Sequence, residues 1–270
     1  MSFWSGKVVV VTGGSAGLGR KIAEAFAFAE ARVVIAARDG IKLQTAADEL
    51  RLAGFDVLAV PTDVTRQEDV DRLIAATIQR HGKIDVLVNN VGRSDRGTAI
   101  DTSPEKFREL FELNFLSLVR CTQAAVPHLI ASRGSVVNIG SLAGKSASRY
   151  LGAYPASKFP VSAYSQQLRL ELGSQGLHVL LVCPGPIARQ DAGHRYDESA
   201  ANIPAEARAP GGGVAIKGIP PEELAAKILR ACQRRQSELI LPGKARWLFA
   251  ISQLWPDWGD WIVTKMTKGK

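Results

Sequence analysis

Cysteine is scarce in this chain. Its three residues, Cys121, Cys183 and Cys232, are odd in number and far apart. That excludes a disulfide scaffold and points to reduced thiols in a cytosol-like compartment. Histidine is equally thin: residues 81, 128, 178 and 194 share no metal-ligand spacing, so no metal site is expected. No window of about 18 apolar residues occurs, which argues against a membrane-spanning helix. Met1 leads almost directly into Val8–Val11, without the apolar stretch and small-residue cleavage site of a secretory signal. Low-complexity linkers and internal repeats are lacking too. At 46% hydrophobic and 22% charged residues, the 270-residue chain has too much core material to be disordered.

The excess of positive charge is unevenly placed. The net charge is +8, of which residues 1–226 carry +2 and residues 227–270 carry +6. Four of the five tryptophans (Trp247, Trp255, Trp258, Trp261) share that tail. The basic groups are sparse and no recognition module is visible, so no nucleic-acid partner is expected.

Short β-branched runs alternate with amphipathic stretches. The expected strands are Lys7–Val11, Arg32–Ala37, Asp56–Val60, Ile84–Val88, Gly134–Ile139, His178–Val182 and Glu238–Leu241. Helical patterns fall at Leu18–Phe28, Lys42–Ala53, Glu68–Arg80, Pro104–Ala131 and Ala156–Leu172. Near-continuous apolar strands separated by helices imply a parallel α/β sheet covered on both faces, and right-handed crossovers make it doubly wound. Ligands of such sheets sit beyond the carboxyl ends of the strands.

The first strand is followed by Thr12-Gly13-Gly14-Ser15-Ala16-Gly17-Leu18-Gly19 and then a helix. Gly13, Gly17 and Gly19 allow a tight turn, close approach of a pyrophosphate and close packing of helix on strand. The helix N-terminus offers free N–H groups to the phosphates; without a ligand, the same segment is simply a glycine-rich turn. The second strand ends Ala37-Arg38-Asp39. Alanine stands where an NAD-binding protein usually places a carboxylate for the ribose hydroxyls. Arg38, assisted by Ser15, suits a 2′-phosphate and favours NADP(H), whereas a one-residue shift would present Asp39 instead.

Tyr154-Pro155-Ala156-Ser157-Lys158 opens a helical segment, placing Tyr154 and Lys158 one turn apart on one side. Ser141 lies thirteen residues earlier, Asn114 falls in the preceding long helix, and Asn89-Asn90-Val91-Gly92 follows the fourth strand. With Thr12–Gly19, this ordered set resembles the short-chain dehydrogenase/reductase family from Lys7 to about Leu241. The resemblance implies a Rossmann-type, seven-stranded parallel sheet over residues 1–242, with a substrate loop at about 189–220. A basic, tryptophan-rich helical extension at 243–270 follows. It also implies hydride transfer between a nicotinamide and a ketone or secondary alcohol, with Tyr154 as acid/base. A tyrosine titrates near ~10, so work near neutrality needs a fall of about three pH units, or about 4 kcal/mol. The Lys158 ammonium can provide it by favouring the phenolate.

By the same resemblance, Lys158 binds the nicotinamide ribose, Ser141 bonds the substrate oxygen, and Asn114 holds a water linking Lys158 to solvent. Leu18, Asp63, Val64, Asn90 and Gly92 border the adenosine side. Pro184, Gly185 and Ile187 border the carboxamide. A homodimer or homotetramer is implied. A catalytically silent dinucleotide sensor of the same fold is the competing function.

Three positions depart from the family's pattern: Arg189 replaces a threonine, Val91 replaces an alanine, and Pro160 stands inside the catalytic helix. Proline lacks an N–H and crowds the carbonyl of Ala156, so a kink or widened turn is expected near Ala156–Pro160. Asp191–Lys217, with Gly211-Gly212-Gly213, reads as a substrate lid or a surface loop. The tail suits peripheral contact with a membrane interface, or else a pair of short helices packed on the domain or on a second subunit. It also resembles the C-terminal extensions of hydroxysteroid-dehydrogenase-like reductases, which border the substrate entrance, and that resemblance implies a lipophilic substrate.

Overall fold

The computed structural model describes residues 2–188, 203–204 and 217–267. Seven parallel strands form one sheet in the order β3-β2-β1-β4-β5-β6-β7. They are β1 (Val8–Thr12), β2 (Arg32–Ala37), β3 (Val57–Pro61), β4 (Val86–Asn89), β5 (Ser135–Ile139), β6 (His178–Pro184) and β7 (Glu238–Leu241). The doubly wound expectation holds.

Every side chain of β1 is buried, yet alternate ones serve different layers. Val9 and Val11 face a core built with α1 (Gly17–Phe28), α2 (Gly40–Leu52) and α7 (Pro221–Gln233). Val8 and Val10 face the opposite core with α3 (Gln67–His81), α5 (Ser117–Ala131) and α6 (Tyr154–Leu172). Burial on both faces explains why the strands read as unbroken valine and isoleucine runs. All three cysteines are free and buried, as their lack of pairing suggested.

β1 pairs with β2 on one side and β4 on the other. The chain reverses direction of winding there, and a cleft opens at the carboxyl ends of the two central strands. The β1–β4 seam is closed at its amino end by Asp85. Its carboxylate accepts from the Val8 amide at 2.9 Å and pairs with Lys7 at 2.9 Å and Lys83 at 3.0 Å.

The long helix expected at Pro104–Ala131 is present but not uniform. α4 (Pro104–Phe111) passes through a π-turn at Glu112–Leu116 before α5 begins. By contrast, α6 runs as unbroken α-helix through Pro160, so the widened turn expected at Ala156–Pro160 does not form. The proline removes one bond near the start of a 19-residue helix, and Ala156 is exposed, so water can satisfy the freed carbonyl. Two short helices, α8 (Ala245–Leu254) and α9 (Pro256–Thr267), make the terminal extension.

Candidate active site

The phosphate turn is built from three close approaches. A Cβ on Gly19 would stand 2.2 Å from the Gly13 carbonyl oxygen, and one on Gly13 would stand 2.8 Å from the Asn90 amide nitrogen. Gly14 lies so close to Ile35 that a Cβ on it would stand only 2.8 Å from the isoleucine side chain. Gly13 and Gly17 also take positive φ, at 68° and 54°. Asn90 fixes the turn by donating its side-chain amide to the Thr12 carbonyl at 3.0 Å.

No side chain caps α1, and no acidic residue occupies its first turn. Its amino end therefore offers N–H groups and positive potential to an anion. Gly13, Ser15 and Leu18 line the cleft, whereas Gly19 packs behind it against the Gly13 carbonyl.

Arg38 and Asp39 both border the cleft at the end of β2, but their tasks differ. Asp39 caps α2 by accepting from the Lys42 amide at 3.0 Å, a bond that holds its carboxyl below the usual range. Arg38 is exposed and has no ion-pair partner among the described residues. Asp63 and Val64 border the same end, with Asp63 accepting from Thr65 Oγ1 at 2.7 Å and from the Thr65 amide at 3.0 Å. These residues fit a dinucleotide: an uncapped helix end over a cradle that any Cβ would fill, with a free guanidinium at the strand tip.

The opposite end gathers the predicted acid/base residues. Ser141, Tyr154 and Lys158 all line the cleft. Ser141 follows β5, and its Oγ accepts from the Ala143 amide at 3.1 Å. Lys158 is almost wholly buried, and its Nζ donates to the Ile139 carbonyl at 2.9 Å. Burial pushes its ammonium down from 10.5 to about 8.

Asn114 sits within the π-turn. Its Oδ1 accepts from the Arg93 amide at 2.7 Å, while Nδ2 donates to the Arg93 carbonyl at 2.9 Å and to Ser157 Oγ at 2.8 Å. Ser157 Oγ in turn donates a hydrogen bond to the Tyr154 carbonyl at 2.7 Å. One network thus ties the β4–α4 loop, the π-turn and the start of α6.

Asn90 and Gly92 line the cleft, and Gly92 also stands beside the buried polar groups. A Cβ there would lie 2.9 Å from Asn114 Oδ1 and 3.2 Å from Lys158 Nζ, so this glycine keeps the space between them clear. Val91 packs at the edge of the α3/α5/α6 core. Pro184, Gly185 and Ile187 line the cleft, and the turn they form is held by a bridge between Ile187 and Ile219. The expectation for Arg189, and most of the loop at 189–220, lies outside the described residues.

Two features escaped the sequence reading. Asp95 and Arg96 are buried charged residues on the β4–α4 loop, and Arg96 reaches the cleft wall. That loop is zipped to the segment before Tyr154: the Gly97 amide donates to the Tyr150 carbonyl at 3.2 Å, and the Gly152 amide returns to Gly97 at 3.0 Å. Neither spacing nor periodicity marks such loop-to-loop pairing.

The chain is similar to known proteins along most of its length. A family pattern described as short chain dehydrogenase matches residues 7–199. The chain belongs to the short-chain dehydrogenase/reductase family. Dehydrogenase/reductase SDR family member 7B of Danio rerio is 32% identical over 258 residues, spanning 93% of this chain and 82% of the relative. L-fucose dehydrogenase of Bos taurus is 40% identical over 185 residues, 68% of this chain and 67% of the relative. Among solved structures, L-sorbose reductase of Gluconobacter frateurii, complexed with NADPH and L-sorbose, superposes with a TM-score of 0.77. It is 28% identical, and the match covers 88% of this chain and 95% of that one.

Proposed function

We propose that this family member is an NADP(H)-dependent oxidoreductase interconverting a lipophilic ketone and its secondary alcohol. The observation that carries the reaction class is the arrangement of Ser141, Tyr154 and buried Lys158 on one wall of a cleft whose other end is the glycine turn. Bound along that cleft, the dinucleotide supplies or accepts the hydride at the substrate carbon. Tyr154 gives its hydroxyl proton to the substrate oxygen in reduction and takes it back in oxidation. The Lys158 ammonium favours the phenolate that remains, and Ser141 Oγ holds the substrate oxygen. Asn114, pinned by three hydrogen bonds, orders the water through which Lys158 and Tyr154 regain a proton.

Preference for NADP(H) rests on division of labour at the β2 tip. Asp39 is committed to capping α2, while Arg38 is free for a 2′-phosphate. The lipophilic substrate rests on the apolar side chains that α8 and α9 contribute to the cleft, namely Leu248, Phe249, Val263 and Met266. The cleft, of about 1540 Å³, exceeds the roughly 300–1,000 Å³ of a single-ligand pocket and has room for dinucleotide and substrate together. We also assign a homodimer or homotetramer, by family membership.

A polar sugar substrate is the second reading, favoured by the names of two relatives. Oxidation of NADPH and NADH against ketones graded by chain length, with reducing sugars alongside, separates the two. Rates that climb with chain length and fall with NADH support the proposal. Turnover confined to sugars, or equal use of both nucleotides, contradicts it.

A further inference from the structure

The terminal hairpin has two faces with different chemistry. Its inner side chains, Leu248, Phe249, Val263 and Met266, form part of the cleft wall. Its outer side chains stand in solvent: Trp247 is 75% exposed, Trp258 70% and Trp261 59%. The hairpin is nevertheless built tightly. A Cβ on Gly259 would come within 2.3 Å of Ser252 Oγ, so α9 crosses α8 at nearly backbone contact. Phe249 and Ala245 anchor it on the small core around Leu181, Cys183 and Ile240. The tryptophans are thus displayed on a packed unit, and only one helix layer separates them from the cleft.

Charge decides between the occupants of such a face. The described hairpin carries three basic groups (Lys244, Arg246, Lys265) and two acidic ones (Asp257, Asp260), 3 − 2 = +1, within a chain of net +8; Lys268 and Lys270 follow in sequence outside the described residues. Lys265 lies 4.0 Å from the Trp261 ring centroid, so a cation flanks the aromatic surface. Two copies meeting through this face would bring like charges together, whereas an anionic bilayer surface complements it. Tryptophan beside lysine is the composition that settles at the headgroup level of a membrane. No helix among the described residues is long and apolar enough to cross one.

We propose that the α8–α9 hairpin seats the protein on an anionic phospholipid surface, and that its inner face admits the substrate from that surface into the cleft. The second clause rests on the lipophilic-substrate reading above; the first does not.

The test is flotation of the full chain, without cofactor or substrate, on phosphatidylcholine vesicles with and without phosphatidylserine. The comparison variant is Trp247→Ser/Trp258→Ser/Trp261→Ser, none of which lines the cleft. Wild type is expected to float with the anionic vesicles and to leave them as salt is raised. The variant should partition at least about tenfold less. Quenching of wild-type fluorescence by brominated lipid gives a reading that needs no variant. The four tail tryptophans should be quenched, while Trp4, only 4% exposed in the core, persists. Equal partitioning of wild type and variant, or fluorescence untouched by brominated lipid, overturns the membrane seat. So does wild-type self-association that the variant loses, since that would make a second copy the occupant.

A long-chain ketone dissolved in the vesicles should then be turned over about tenfold more slowly by the variant, with a short water-soluble ketone unaffected. Equal rates on the long ketone overturn the entry route alone.

Discussion

At the scale of single residues, the decisive ones are those held between competing demands. In the proposed reaction Lys158 must be charged to favour the Tyr154 phenolate, yet its burial lowers its ammonium to about 8. The folded protein therefore holds fewer protons at this site than the unfolded chain between pH about 8 and 10.5, so the site's contribution to stability rises with pH across that window. Binding of an anionic nucleotide runs the other way: NADPH affinity measured by fluorescence should weaken as pH climbs through about 8, and Lys158→Met should flatten that dependence. Gly92 makes a second test. Its missing Cβ leaves clear the space between Asn114 Oδ1 and Lys158 Nζ, and Asn114 cannot give way because three bonds hold it. Gly92→Ala should lower kcat about 100-fold while changing NADPH affinity less, a split that steady-state kinetics with a nucleotide titration will show.

At the scale of elements, strand ends and helix ends divide the work. The free Arg38 at the tip of β2 predicts that Arg38→Ala weakens NADPH binding about 10- to 100-fold and leaves NADH nearly unchanged, measured by equilibrium titration of both nucleotides. At the other end of the sheet, Asp85 is buried, which opposes its ionisation. The Val8 amide, Lys7 and Lys83 outweigh that penalty and hold its carboxyl below the usual range. Its support for the fold is present above the ordinary carboxylate range and is lost as pH falls through the lowered value. Asp85→Ala should cost about 3 kcal/mol in urea denaturation at neutral pH. Elements also show where sequence pattern and structure part. Periodicity marked one helix from Pro104 to Ala131 but did not reveal the π-turn, because apolar residues at helical spacing lie on both sides of it and show no break in the helix. Pro160 drew attention as the apparent disruptor. The actual irregularity lies under Asn114, where the extra residue turns a polar side chain onto the Arg93 backbone.

At the scale of the molecule, the doubly wound parallel class and the strand positions were legible because each strand is buried on both faces and punctuated by helix signals. The cleft's polar end was legible as well, since glycine spacing and the tyrosine–lysine step are local patterns. The zipper of Gly97 to Tyr150 and Gly152, the open space guarded by Gly92, and the inner wall supplied by α8 and α9 were not. Each depends on segments far apart in sequence meeting in space. The uneven charge has gained a location: the basic excess beyond Lys227 lies partly on a hairpin that walls the cleft and exposes tryptophans. In the proposed reaction Tyr154 moves the proton while the rest of the cleft holds the reactants. A single turnover of bound NADPH with a reactive ketone, comparing wild type with Tyr154→Phe, isolates that role. Nucleotide binding is expected to persist and hydride transfer to slow at least about 100-fold. Transfer at the wild-type rate in the phenylalanine variant would contradict that role.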